Sequence, residues 1–342
     1  MSSAALPEPQ PIAERGAVDA ETFARELLPG YRPVVLRGQV ADWPAVAAGR
    51  AGPRETAAYL ARFAGPKPTD VMIGPPEIAG RFFYAEDMRG FNFARRQVPL
   101  PALIARLTKL LDAPDGYALY AGAAAADDHL PGWAEANALG LPLPGAQARV
   151  WIGNESHIST HFDVSHNIAC VVAGRRRFTL FPPEQIDNLY VGPLDVTVAG
   201  QPASMVDLTA PDLDRCPRFA EAMRHALGAE LEPGDAIFIP ALWWHNVRSF
   251  GPLNVLVNYW AEPAEGVSPF PALIHALLAV RDVPAPERAA WRAWFDHYVF
   301  ADDAEARAGE HLPDHARSIL GPASAERTAK ITQFLMRALT LR

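Results

Sequence analysis

The chain of 342 residues is short of several things, and each shortage excludes something. Its two cysteines, Cys170 and Cys216, are too few for a disulfide framework and lack zinc-site spacing, so both are expected as reduced thiols, Cys170 inside a strand. Lysine occurs only at Lys67, Lys109 and Lys330, and acidic residues outnumber basic ones by 39 to 31, a formal charge of -8. Gripping nucleic-acid phosphate without regard to sequence requires a basic face, so nucleic acid is not expected as a partner. No apolar run approaches the roughly 18 residues of a membrane span. The opening MSSAALPEPQPIAERG has neither a cationic start nor an apolar stretch of signal length. No membrane association is expected, and the expected compartment is the cytoplasm. Repeats of solenoid period and low-complexity tracts are also missing.

What is present suits a folded chain with a sizeable core: 49% of residues are apolar and 20% charged. In the first third, Asp19 precedes a helical pattern through Phe23, Leu27 and Leu28 that Pro29-Gly30 ends, and Pro33–Arg37 reads as a strand. Helices are expected after Pro53 and from about Pro101 to Leu111, then a short strand over Tyr117–Tyr120. From Arg149 to Trp260 the texture becomes short β-rich runs: Arg149–Ile152, Thr160–Asp163, Ile168–Val172, Phe178–Phe181, Ala229–Leu231, Ala236–Ile239 and Leu253–Trp260. Gly, Pro, Asn and Asp separate them, which predicts a jelly roll or related barrel. After Pro263 the pattern is helical, with apolar faces at Trp291, Trp294, Phe295, Tyr298 and Val299 and again at Ile331, Phe334, Leu335, Ala338 and Leu339. The expected fold class is mainly β with α additions. Residues 1–115 form a mixed N-terminal layer, 116–262 the barrel and 263–342 a helical appendage.

Chemistry concentrates in the barrel region. On a strand, residues i and i+2 share a face, so His161 and Asp163 can converge on one point. His245, after the turn and strand Pro233–Pro240, can add a third donor from another strand. Two histidines and a carboxylate on one side of a metal form the facial triad of non-haem Fe(II) oxygenases. H-x-D alone is a weak signal; its β-rich setting and the downstream histidine strengthen it. Three consecutive arginines usually mark a solvated turn, but strand alternation separates Arg176 from Arg175 and Arg177. Tyr120 alone reads as a core residue, whereas the amide of Asn258 in the run Val255–Trp260 needs a partner if buried. Trp243 and Trp244 are expected to shield His245, and His157 and His166 to flank the triad without joining it.

The ordered segments WIGN, THFD, HNIACVVAGRRRFTLFPPEQIDNLY, LEPGDAIFIPALWWHNV and NVLVNYW, preceded by PVVLRGQVADWPA and GRFFYAEDMRGFNF, cover most of residues 30 to 262. Together they resemble the cupin-like JmjC family that includes the asparaginyl hydroxylase acting on hypoxia-inducible factor and many bacterial relatives. The resemblance implies a double-stranded β-helix core and a 2-oxoglutarate-dependent dioxygenase. Such an enzyme hydroxylates a side chain of a protein or peptide and decarboxylates 2-oxoglutarate to succinate. It implies His161, Asp163 and His245 as ligands of a catalytic Fe(II), Arg176 as partner of the distal carboxylate of 2-oxoglutarate, and Tyr120, Asn167 and Asn258 as further cosubstrate contacts. Ile158 stands where the family has a threonine, so Ser159 or Thr160 substitutes or the contact is absent. Ahead of the V-D motif only Gln201 and Ser204 could hold a target amide, so asparagine specificity is not expected. Relatives pair their terminal helices, which implies a homodimer through the C-terminal helices. A non-oxidative metal-dependent cupin enzyme and a non-catalytic metal-binding module remain open.

Overall fold

Ten strands carry the barrel: β1 Val34–Leu36, β2 Pro68–Gly74, β3 Ala94–Pro99, β4 Ala118–Ala125, β5 Gln147–Gly153, β6 Ser156–His161, β7 Asn167–Phe181, β8 Leu227–Leu231, β9 Ala236–Ile239 and β10 Trp244–Trp260. The longest, β7 and β10, pair antiparallel from Asn167 opposite Trp260 to Phe181 opposite Trp244. The sequence reads Gly174 as a break between two strands, but it is a bulge inside one. It has φ of 75°, the register shifts between Val171 and Ala173 and again across it between Ala173 and Arg175, and a Cβ there would fall 2.0 Å from Asn254 Oδ1. A bulge bends the pair without ending it.

Past the bend the neighbours change. The first half of β7 lies between β9 and β10, and the far half of β10 continues to β5, β4, β2 and β3; on the other side β9 pairs with β1 and β1 with Ala13–Arg15. The second half of β7 pairs with β8, and the near half of β10 with β6, which is flanked by Arg81–Phe82. Two sheets sharing one bent hairpin make the double-stranded β-helix. Its interior is lined by alternate residues such as Ala169, Val171, Phe178, Leu180, Val247 and Leu256.

The structure, a computed structural model, describes residues 6–143, 145–198, 200–261 and 268–340. Helices cover the outer face of the first sheet: α1 Pro44–Ala51, α2 Pro53–Ala61 and α3 Leu100–Asp112. In α3, Leu100, Leu103, Ile104 and Leu107 recur at helical spacing and are all buried, in one cluster with Ile168, Cys170 and Val172 of β7. Burial on both faces explains the unbroken apolar run of β7. Each such side chain contributes about 1.5–3 kcal/mol by leaving water. Asp19 caps the first helical segment by accepting from Thr22 N–H at 2.8 Å.

Two compact units divide the chain, Met1–Glu262 and Pro263–Arg342; the residues at the boundary expected between 262 and 263 are outside those described. The second unit contains α4 Phe270–Ala279, α5 Ala285–Phe295 and α6 Ala325–Thr340. Among its described residues only Ala304, Ala308 and Gly309 are buried.

Candidate active site

His161 is the last residue of β6 and sits opposite His245 of β10. The strand expected over Thr160–Asp163 instead ends at His161, so alternation does not aim Asp163. The loop ahead of β10 fixes it. Leu242 N–H donates to the Asp163 carbonyl at 2.8 Å, with Leu242 held at φ of 64°, and Asn167 Nδ2 donates to Asp163 Oδ2 at 3.4 Å. A non-glycine residue in the left-handed region costs about 1–2 kcal/mol, so the surrounding packing must impose it.

One donor atom from each of His161, Asp163 and His245 lies within 4.8 Å of the others, a spacing that a single metal ion can bridge. His245 Nε2 is 3.6 Å from Asp163 Oδ2, and the two imidazole centroids are 4.3 Å apart. His161 Nδ1–H donates to the Ser159 carbonyl at 2.8 Å and His245 Nδ1–H to the Trp243 carbonyl at 3.0 Å. Each backbone bond fixes the tautomer and leaves the Nε2 lone pair free for a metal. Burial first, then the neighbouring His161, pulls His245 down to about 4 against the opposing pull of Asp163, so its imidazole is neutral at pH 7. Trp243 and Trp244 are buried beside it.

Beyond the triad runs a cavity of about 70 Å³. At its far end is Arg176, 1% exposed, with Nε, Nη1 and Nη2 all lacking a hydrogen-bond partner. Burial lowers the guanidinium pKa, opposed by Tyr120 beside it, and the Tyr120 phenol is raised by burial and opposed by Arg176. Arg175 and Arg177 point outward and share Glu230 at 2.6 and 2.5 Å. A buried cation with no anion is costly, so this end of the cavity calls for a negative ligand. Asn258 Nδ2 donates to Asn167 Oδ1 at 2.9 Å, leaving Asn258 Oδ1 unpartnered, so a chain of amides joins the cavity wall to Asp163.

The remaining residues sort by what they touch. Ile158 lines the cavity, whereas Ser159 and Thr160 do not. Thr160 Oγ1 accepts from Asn246 Nδ2 at 3.4 Å. His157 Nε2 is bonded to Asn246 Oδ1 at 3.1 Å, and His166 Nδ1 accepts from Ala241 N–H at 3.3 Å, so neither joins the triad. Sequence reasoning missed Trp151, Met72, Phe82 and Val198 in the wall. Trp151 could have been found, since it stands in the quoted WIGN segment on a readable strand. Met72 lies on β2, for which no strand is expected.

The chain matches the model of the Cupin-like domain over residues 20–265. HSPB1-associated protein 1 of Homo sapiens is 38% identical over 123 residues, 35% of this chain and 25% of that protein. Lysine-specific demethylase JMJ31 of Arabidopsis thaliana is 38% identical over 111 residues, 32% and 20% of the two chains. tRNA wybutosine-synthesizing protein 5 of Danio rerio is 29% identical over 278 residues, 72% and 74%. The match to the human protein thus spans about a quarter of that relative's length. No helix among the described residues is long and apolar enough to cross a membrane.

Proposed function

The chain belongs to the cupin-like domain family, of JmjC type, and we propose that it is an Fe(II)- and 2-oxoglutarate-dependent oxygenase that hydroxylates a side chain of a protein or peptide. One observation carries this reading: Arg176, buried and without an anion, faces a cavity whose other end holds three convergent metal-ligating side chains. An inert module has no use for a cation stored at that depth, and a non-oxidative cupin enzyme would need it only for an anionic substrate. The residues present suit the groups implied. His161, Asp163 and His245 would hold the metal, and the guanidinium fork of Arg176, with Tyr120, would take the distal carboxylate of the cosubstrate. When bound, the metal and cosubstrate would supply the oxidising chemistry with O2 as the oxidant, one oxygen atom going to the hydroxylated side chain and the other to succinate as 2-oxoglutarate loses CO2.

The chain's own residues position and protect. Leu242 N–H and the Asn167 amide hold Asp163 to one orientation. Trp243 and Ser159 carbonyls hold the two imidazoles. Phe178, Leu256, Ile239 and Met72 give the cavity apolar walls that exclude water from the anchored end.

A protein or peptide substrate accords with the demethylase named among the relatives. The relative named for tRNA modification overlaps the greater share of the chain and favours a second reading, an RNA base. The net charge of -8 weighs against that reading. A homodimer through Ile331, Phe334, Leu335, Ala338 and Leu339 of α6 is part of the proposal, because Phe334 and Leu339 are 69% and 52% exposed. So is a cytoplasmic location, in keeping with the free thiols of Cys170 and Cys216. The test is anaerobic addition of Fe(II) and 2-oxoglutarate. A weak visible charge-transfer band is expected, and its absence in a protein that binds both molecules would end the reading.

A further inference from the structure

Resting on Arg176 as the anchor of a cosubstrate carboxylate, we infer that the indole N–H of Trp151 is the donor completing that carboxylate's binding site, in compensation for the apolar Ile158. A carboxylate offers about four acceptor positions on two oxygens, and a buried one must have most of them filled. The Arg176 fork supplies two parallel donors and Tyr120 a third. That leaves one position for a donor on the nearby wall.

β6 does not supply it. The register of β6 against β10 slips between His161 opposite His245 and Ile158 opposite Val247, which turns both His161 and Ile158 into the cavity. Ile158 brings only methyl and methylene groups. The hydroxyls of Ser159 and Thr160 lie off the cavity, that of Thr160 engaged by Asn246.

Trp151, on β5, does. Its Nε1 is buried and has no partner, its ring centroid is 5.6 Å from that of Tyr120, and it packs with Ile158 against Tyr120. The orientation of the ring is set from behind. β4 bulges between Ala121 and Ala124, and a Cβ added at Gly122 would fall 2.7 Å from Trp151 Cζ3 and 3.2 Å from Cε3. The benzene edge is therefore seated against bare backbone, and the N–H edge is the one turned away from β4, on a residue that lines the cavity. Trp260, whose Nε1 is also unpartnered, stands edge-on to Trp151 with ring centroids 5.9 Å apart, but its backbone pairs with Asn167, the residue whose amide donates to Asp163, and among the described residues no ring contact joins it to Tyr120.

The experiment is calorimetric titration of the full-length Fe(II) protein, without oxygen, with two probes: 2-oxoglutarate and 2-oxopentanoate, which lacks the distal carboxylate. Trp151→Phe should weaken 2-oxoglutarate by about 10–100-fold, the range for a lost hydrogen bond to a charged group. It should leave 2-oxopentanoate within about twofold, since that acid has no group for the N–H to meet. Ile158→Thr placed on Trp151→Phe should recover most of the loss by returning a hydroxyl donor. Gly122→Ala, which pushes the ring off its seat, should give the same selective loss and provides the answer if Trp151→Phe does not fold. Equal weakening of both acids, or no recovery with threonine, overturns the role of Trp151 alone. Should Arg176→Met leave 2-oxoglutarate affinity intact, the cosubstrate reading itself falls.

Discussion

In the first unit Phe23, Phe178, Phe181 and Phe238 are each at most 1% exposed, while in the second Trp294, Phe300, Phe334 and Met336 are each at least 60% exposed. Among the described residues, ten buried side-chain polar atoms lack partners, and six of them belong to Trp151, Arg176, Asn258 and Trp260 in the wall of one cavity. The barrel therefore has a complete apolar core and an unmet polar demand indoors. The helical unit has its unmet demand outdoors, as apolar side chains in water. A small anion and a metal answer the first kind of deficit; another protein surface answers the second.

The largest effect separating the two is loss of the metal. Asp163→Ala or His245→Ala is expected to abolish Fe(II) binding and turnover while the melting temperature stays near wild type, because strand packing does not run through the triad. Near-wild-type 2-oxoglutarate turnover in either variant would falsify the ligand assignment. Next comes Arg176→Met, which leaves the distal carboxylate buried without its partner. The expected loss is about 3–5 kcal/mol, or two to four powers of ten in 2-oxoglutarate affinity, with Fe(II) binding intact. Arg175→Met and Arg177→Met should change little, and Arg176→Lys should recover part of the loss, as it keeps the charge without the fork. A large effect at 175 or 177 instead would mean that the strand faces the other way.

Stability itself sharpens the contrast. Phe238→Ala removes a ring from a closed core and is expected to lower unfolding stability by about 3–5 kcal/mol. Denaturant melts that show a loss below about 1 kcal/mol would show the barrel core to be loosely packed. The smallest effect is Leu335→Arg, within about 0.5 kcal/mol on the barrel, since that side chain lies in the other unit and is 43% exposed. It should nonetheless halve the mass seen by light scattering. Equal masses for wild type and variant remove the proposed dimer.

Much of this contrast is legible in the residues. β5, β9 and α3 lie within a few residues of where periodicity puts them, because their apolar spacing matches their burial. β3, with the sequence ARRQVP, was not legible: it is an edge strand with little to bury and shows no alternation. Helix α1 was missed because it is eight residues long and alanine-rich, with only Ala45 and Val46 buried. At the site, i and i+2 spacing brought His161 and Asp163 to notice for a reason that does not operate. Asp163 lies beyond the strand and owes its position to Leu242, some eighty residues away in sequence, a tertiary bond that no local pattern encodes. Arg176 was distinguishable from its neighbours because β7 stays extended through the three arginines.

The bent hairpin of β7 and β10 has an evolutionary consequence. Its two strands are separated by residues 182–243, an excursion that contains Val198 at the cavity wall as well as β8 and β9. The pairing from Asn167 to Phe181 is set by bulges within the strands themselves, not by the length of what lies between. Doubling the length of a flexible connection costs only about 0.6 kcal/mol of closure entropy. Descendants of one ancestral barrel can therefore lengthen, shorten or exchange the part before β8, residues 182–226, which reaches the cavity wall at Val198, while β8, β9 and the Leu242 and Trp243 contacts keep the triad and Arg176 at a fixed separation. Divergence in what is admitted is cheap in this architecture, and divergence in the chemistry performed is not.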